Sequence, residues 1–401
     1  MTDTSYDVVV VGAGIHGAGV AQAAAARGYT VLLLEQTEIA AGTSSRSSKL
    51  IHGGLRYLET GQLALVRECL RERALLLRNA PDLVALKPFY LPIYKSSRRG
   101  RFKIRLGLSL YALLGGLDKT VRFRRVPKKE WPSLDGLVTE KLKAVYQYSD
   151  AQTDDRALTT AVVNSAIELG ATLRMPAIFT LAQREASGYQ VEYLYQGRHY
   201  RCHAATLVNA AGPWVHEVLA RTLPPTPQIQ TQLVQGTHII LDGQLNQGIY
   251  YLEAPSDKRP VFVMPWKNKV LVGTTESAYS GHPSAVKPLV EERAYLLEVL
   301  SYYFNPFRSS QTARIQEAFA GLRVLPVGHG QFGHRPRDTV IDGDDTRQPR
   351  LLTIYGGKLT AYRITAEKVI DRLAHQLPHR TAKADTTTLT LTPGALQSPS
   401  L

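Results

Sequence analysis

Two cysteines, Cys69 and Cys202, among 401 residues cannot build a disulfide framework, and neither belongs to a redox motif. A reducing compartment is therefore expected, with both thiols as ordinary buried side chains. No run of 18 apolar residues is present, which excludes a membrane-spanning helix, and the polar residues 1–6 leave no room for a signal peptide ahead of the first apolar stretch. Internal repeats are absent, and no His/Cys/Asp cluster has the spacing of a metal site, so no metal is expected. The sequence DGDD at 342–345 lacks the later glutamate of a calcium loop and reads as a turn. Disorder is equally disfavoured: 44% hydrophobic residues over this length supply ample core for two intertwined lobes.

Acidic residues are also in deficit, 34 against 48 Lys and Arg, leaving a formal net charge of +14. Such an excess fits nucleic acid, an anionic membrane surface or anionic small molecules. Much of it falls at 87–129, where Lys95, Arg98, Arg99, Arg101, Lys103 and Arg105 precede the apolar stretch 106–117. A nucleic-acid surface needs stacking aromatics among its cations, and this cluster holds only Phe102. A basic segment joined to an apolar one has two readings: contact with an anionic bilayer, or a solvated face with a core helix behind it.

The chain is organised around residues 6–35, YDVVVVGAGIHGAGVAQAAAARGYTVLLLE. An apolar run passes directly into a glycine turn, then an alanine-rich helical stretch, then a second apolar run ending at Glu35. The pattern is strand, turn, helix, strand, the frame of a dinucleotide site. Gly12 permits the turn, Gly14 lets backbone approach a pyrophosphate, and Gly17 lets helix sit on strand. The first turn of the helix faces the phosphates and Glu35 the ribose hydroxyls.

Residues 41–59, AGTSSRSSKLIHGGLRYLE, are too rich in small hydroxylated side chains for a core strand, yet carry Lys49, His52, Arg56 and Tyr57. Polar loops bearing bulky functional groups tend to line sites; His52 either braces this loop or takes part in chemistry. Later, 207–212 (LVNAAG) is an apolar strand reaching a small-residue turn. Gly356-Gly357-Lys358 precedes a helical stretch at 360–373. The region between reads as period-two strands, including 190–195 and 237–241, expected to supply a substrate lobe.

TSSRSSKLIHGGLRYLE resembles the flavin-contacting signature of FAD-dependent glycerol-3-phosphate dehydrogenases, within the D-amino-acid oxidase-like flavoproteins. Further matches follow in the family's order up to about residue 393: YSD at 148–150 with DDR at 154–156, LVNAAGPWV at 207–215, GTH at 236–238, VFVMPW at 261–266, VGTT at 272–275, GLR at 321–323, Arg337-Asp338, and YGGKLTAYR at 355–363. The resemblance implies an α/β fold with an α+β substrate lobe: a Rossmann-like FAD-binding domain with an interleaved antiparallel-sheet substrate domain. The expected division is FAD-binding at 1–80, 146–225 and 321–380, substrate or membrane-facing at 81–145, substrate-binding at 226–320, and a mobile Thr/Pro/Ser-rich tail at 381–401. Typical members continue into a helical C-terminal domain, and after Arg323 this chain runs VLPVGHGQFGHRPRD, with its proline displaced from the family pattern.

For function the resemblance implies FAD-dependent oxidation of sn-glycerol 3-phosphate, or a close phosphorylated polyol, by hydride transfer to the flavin, with electrons passed to quinone or another acceptor. His238 and Arg323 are the implied catalytic groups; arginine is a poor base at its ordinary pKa, so its role is to stabilise the oxyanion. Arg56, Tyr57, Arg337 and Lys358 are the implied substrate ligands. Cofactor contacts fall to Gly12, Gly14, Ile15, Gly17 and Glu35, to Thr43, Ser44, Ser48, Lys49, Leu50, Gly53 and Gly54, to Ala211, Gly212 and Trp214, and to Gly357, Lys358, Leu359 and Thr360. The expected location is cytoplasmic, free or peripheral on the inner face of the cytoplasmic membrane, with no nucleic-acid partner and the oligomeric state left open. Within the same fold, an amine or amino-acid oxidase using Arg323 for a carboxylate is the alternative.

Overall fold

The structure, a computed structural model, describes residues 4–309, 313–327 and 339–394. Four consecutive valines, Val8 to Val11, are buried on both faces, the condition of a central parallel strand. Strand Thr4–Val11 accordingly runs between Val31–Leu34 and Arg198–Asn209, parallel to both. Thr172–Arg174 extends the sheet beyond the second strand, and Leu351–Tyr355 pairs in parallel with the end of Arg198–Asn209. Val11, Leu34, Asn209 and Tyr355 thus finish at one edge, where an open parallel sheet places its ligand.

Helix Ile15–Ala26 lies across this sheet with every residue but His16 buried. Its small side chains allow two helices, Asp155–Glu168 and Tyr362–Leu373, to close over it. Strand Gly188–Tyr195 contains the 190–195 stretch whose alternation suggested the substrate lobe, against the division that gave 146–225 to the FAD-binding domain; it belongs to this first sheet, antiparallel to Ala177–Glu185 and to the first half of Arg198–Asn209. Period-two patterning reports a half-buried strand but not which sheet it joins.

The second sheet is mostly antiparallel. Its long strands Val84–Tyr94 and Leu142–Thr153 pair with each other, and Thr231–Leu241 pairs with Ile315–Pro326 on one side and Lys269–Gly273 on the other. Helix Val290–Tyr303 packs beneath it, its Leu296, Val299 and Leu300 fully buried.

The tail expected to be mobile is docked over residues 381–394. Lys383 and Ala384 N–H donate to the Ala26 carbonyl, 2.7 and 3.1 Å, filling a helix C-terminus that would otherwise be orphaned. Thr386 accepts from Arg363 at 3.1 Å, Leu391 N–H donates to the Asn79 carbonyl at 2.7 Å, and the Leu391 side chain is buried. Threonines that look like linker composition act here as hydrogen-bond partners. Residues 395–401 lie outside the described chain.

Candidate active site

A deep cavity of about 410 Å³ runs from the edge of the first sheet to the second. At its first end Gly12 has φ +102°, a left-handed conformation glycine adopts freely, and a Cβ there would press 2.8 Å from the Ala210 carbonyl oxygen. A Cβ at Gly17 would overlap the Gly12 carbonyl oxygen itself, so close contact of helix and strand requires glycine there. Gly14 caps the helix, and a Cβ on it would meet only Ser44 Oγ, at 3.1 Å. Ile15 N–H donates to that same Ser44 hydroxyl at 2.9 Å, so the 43–49 loop is tied to the first helical turn.

Glu35 is buried at the end of the second strand. One carboxylate oxygen accepts from Ala13 N–H at 2.8 Å and the other from Thr37 N–H at 2.9 Å. Thr37 Oγ1 also donates to Oε1, at 3.3 Å, while Oε2 keeps a second lone pair, and Glu35 lines the cavity beside Thr37, as an acceptor for a ribose hydroxyl should. Ala211, Gly212 and Trp214 bring the third strand's end into the same wall, and Gly357, Lys358, Leu359 and Thr360 bring the fourth.

The serine-rich loop divides in two. Thr43, Ser44, Ser48, Leu50 and Gly54 face the cavity, whereas Lys49, Gly53 and Gly17 are absent from its lining. Lys49 points back into protein: its Nζ donates to Asp155 Oδ1 and to the Ser45 carbonyl, both at 2.6 Å, and lies 5.1 Å from the centroid of Phe319. Asp155 also accepts from Ser47 N–H and Oγ, at 3.0 and 2.7 Å. The pair anchors the loop from behind. Gly53 N–H donates to Tyr111 Oη at 2.8 Å; Tyr111 in turn donates to Asp150, which is paired with buried Arg73. The His52 backbone exchanges bonds of 3.1 and 3.3 Å with Thr360 Oγ1, so His52 braces the loop through its main chain while lining the cavity.

At the far end stand Arg56, Tyr57, Lys358, His238 and Arg323. Lys358 Nζ lies 4.5 Å from the centroid of the buried Tyr57 ring. His238 stacks on Phe319, centroids 5.0 Å apart, and its Nε2 shares a hydrogen bond of 2.9 Å with Ser48 Oγ. Burial, then the nearby charges of Lys49 and Arg323, lower its pKa to about 3, so the imidazole is neutral. Arg323 donates to Glu276 at 3.0 Å and to the Thr275 carbonyl at 3.2 Å. Arg337, the remaining expected anion ligand, lies outside the described residues.

Two groups escaped the sequence reading. Glu292, on helix Val290–Tyr303, accepts from Gln235 at 2.6 Å, Thr237 at 2.5 Å, Thr275 at 2.8 Å and Ser277 at 2.8 Å, locking together the strands that carry His238 and the Arg323 contact. Burial would push its carboxyl up, but these donors outweigh it and hold the pKa below its usual value. A lone glutamate at a helix start gives no such signal in sequence. His16, within the glycine turn, lines the cavity as well, at a position the glycine motif does not specify.

The glycine turn, the acidic end of the second strand and the continuous cavity fit an extended dinucleotide whose redox ring reaches the second sheet. In agreement, residues 7–363 match the DAO family, FAD dependent oxidoreductases. The chain belongs to that family: it is an FAD-dependent oxidoreductase. It is 36% identical over 387 residues to an aerobic glycerol-3-phosphate dehydrogenase of Staphylococcus epidermidis, covering 94% of this chain and 68% of the relative. It is 38% identical over 376 residues to a D-erythritol 1-phosphate dehydrogenase of Brucella abortus, covering 93% and 74%. Among solved structures, the glycerol-3-phosphate dehydrogenase of Bacillus halodurans complexed with FAD superposes with a TM-score of 0.77 at 26% identity, covering 98% of this chain and 68% of that one.

Proposed function

We propose that the enzyme oxidises the secondary alcohol of sn-glycerol 3-phosphate to the ketone, giving dihydroxyacetone phosphate. The observation that carries this is the convergence of Arg56, Lys358 and Arg323 on the far end of the cavity. Arg323 is already paired with Glu276, which makes it a poor clamp for a substrate carboxylate and disfavours the amino-acid oxidase alternative. Arg56 and Lys358 line the same end of the cavity, Lys358 over the Tyr57 ring, and bring positive charge to where a phosphate dianion would bind, with Arg337 as a further ligand. The two phosphorylated-polyol dehydrogenases among the relatives support the same substrate class.

Bound FAD supplies the two-electron acceptor for the hydride leaving the carbinol carbon. His238, neutral and lining the cavity, accepts the hydroxyl proton, while Arg323 stabilises the developing oxyanion. Gly12, Gly14, Ile15, Glu35 and Ser44 would hold the cofactor at the dinucleotide end, and Ser48, Gly357 and Thr360 would hold it further along the cavity. The test is anaerobic mixing of the yellow protein with glycerol 3-phosphate, erythritol phosphate, glycerol, amino acids and amines. Rapid bleaching by glycerol 3-phosphate is expected; bleaching by an amino acid alone overturns the reading.

Electrons then pass to a quinone, with the enzyme peripheral on an anionic membrane. Helix Arg101–Leu114 buries Leu108, Tyr111 and Ala112 but leaves Phe102 74%, Leu106 71% and Leu113 61% exposed beside Arg98, Arg101, Lys103 and Arg105. Apolar side chains flanked by cations suit the interface of an anionic bilayer. Among the described residues no helix is long and apolar enough to cross a membrane. Co-sedimentation with phosphatidylglycerol vesicles at low salt, reduced in Phe102→Ser/Leu106→Ser, is expected; absence of binding overturns this part alone.

A further inference from the structure

We infer that His16 is a cofactor-binding residue, which offers a hydrogen-bond donor and an acceptor to FAD where the first glycine turn meets the Gly356-Gly357 loop. The inference rests on the FAD assignment and names a residue that the glycine motif does not specify.

His16 is the second residue of helix Ile15–Ala26, the one residue of that helix not buried as a whole, and its side chain lines the cavity. Both ring nitrogens are nonetheless buried, and neither has a hydrogen-bond partner among the described residues. A neutral imidazole carries one N–H and one lone pair. Leaving two buried nitrogens unmet is costly, so the arrangement makes sense if a bound group supplies the partners. Hydroxyl groups and phosphate oxygens, which a dinucleotide provides along its length, are the matching chemistry.

The opposite wall is shaped for this ring. Gly357 has φ +123°, and a Cβ there would overlap His16 Nε2, so the glycine leaves the imidazole its place. Gly357 lies next to Lys358, on the loop leading from strand Leu351–Tyr355. His16 therefore bridges two segments brought to the cavity from opposite ends of the chain. Burial lowers its pKa to about 4, which keeps the ring neutral and one nitrogen an acceptor at physiological pH.

The experiment compares FAD binding to apoprotein by flavin fluorescence quenching in the parent, His16→Leu and His16→Asn. Leucine fills space without hydrogen bonds; asparagine restores a donor and an acceptor. A Kd raised about tenfold or more in His16→Leu and within about threefold of parent in His16→Asn supports the assignment. A leucine variant that binds like the parent overturns it, and two equally weakened variants overturn it in favour of shape alone. Should His16→Leu yield no soluble protein, histidine ¹⁵N spectra of the parent decide: a His16 resonance, identified by its loss in His16→Asn, must shift when FAD is added, and an unmoved resonance overturns the role. Failure of the parent to bind FAD would instead overturn the cofactor reading.

Discussion

The two ends of the cavity are built by different means. At the dinucleotide end the frame is backbone, strand termini, a helix start and glycines whose missing side chains make the space, with the Glu35 carboxylate and the His16 ring set into it. At the substrate end the contacts come from side chains on four separated segments, held by buried ionic groups behind the wall: Asp155 under the serine loop, Asp150 under Gly53 through Tyr111, and Glu292 under the His238 strand. Changes at the first end should therefore act on folding and cofactor together, whereas changes at the second should separate stability, affinity and chemistry.

The largest effect is expected at Gly17. A valine there must displace the Gly12 carbonyl, with no flexible neighbour to give way, and overpacking at a strand-helix contact has no cheap relaxation. Gly17→Val should give insoluble protein or apoprotein without FAD, while Gly14→Ala, facing only Ser44 Oγ, should fold and merely bind FAD less tightly. Visible absorbance per protein and far-ultraviolet circular dichroism would check both. Equal behaviour of the two variants would break the distinction between a packing glycine and a ligand-facing one.

Next comes the support behind the serine loop. Asp155→Asn leaves Lys49 buried without its counter-charge, and breaking such a pair costs about 3–5 kcal/mol. Urea unfolding should register that loss even though neither residue lines the cavity. A stability change below about 1 kcal/mol would mean that the loop is held by its own backbone instead.

This pair also shows where sequence reasoning stops. The motif TSSRSSKL announces a cofactor loop, but not which side chains turn inward: Ser48 faces the cavity and Lys49, next along the chain, points away. Local spacing cannot reveal that, because the partner Asp155 lies more than a hundred residues later. The glycine turn was legible because its constraint is local, one carbonyl against one missing Cβ. Strand Gly188–Tyr195 was legible as a strand but not in its sheet, since pairing is a long-range choice. The docked segment 381–394 has the composition of a mobile tail, but the N–H groups of Lys383, Ala384 and Leu391 reach carbonyls far away in the chain, and Thr386 reaches Arg363.

At the substrate end, Arg56→Ala should retain FAD and lose about 2–5 kcal/mol of transition-state binding with glycerol 3-phosphate, roughly 30- to 5000-fold in kcat/KM. The deficit should nearly vanish with glycerol, which lacks the phosphate. Stopped-flow flavin bleaching measures both. An unchanged rate and affinity with glycerol 3-phosphate would move the anion site away from Arg56.

The smallest effect concerns protons. His238 and His16 are neutral in the fold, their pKa values lowered to about 3 and about 4 by burial, against about 6.5 when unfolded. The unfolded chain therefore binds more protons below that value, and the stability these rings contribute is fully present above pH about 6.5 and is lost as pH falls towards their folded pKa values. Each unit of pH costs up to about 1.4 kcal/mol per histidine once the unfolded ring is fully protonated, so between pH 6.5 and 5 each should account for about 1.5 kcal/mol. Carboxylates held low, such as Glu292, add to the slope only at more acid pH. Urea midpoints of apoprotein at pH 7 and 5 should differ for the parent and differ less for His238→Gln and His16→Asn. If both variants keep the parent's slope, the two rings are not buried neutral in solution, and both ends of the cavity are open to water; loss of the slope in one variant alone would assign the closed end.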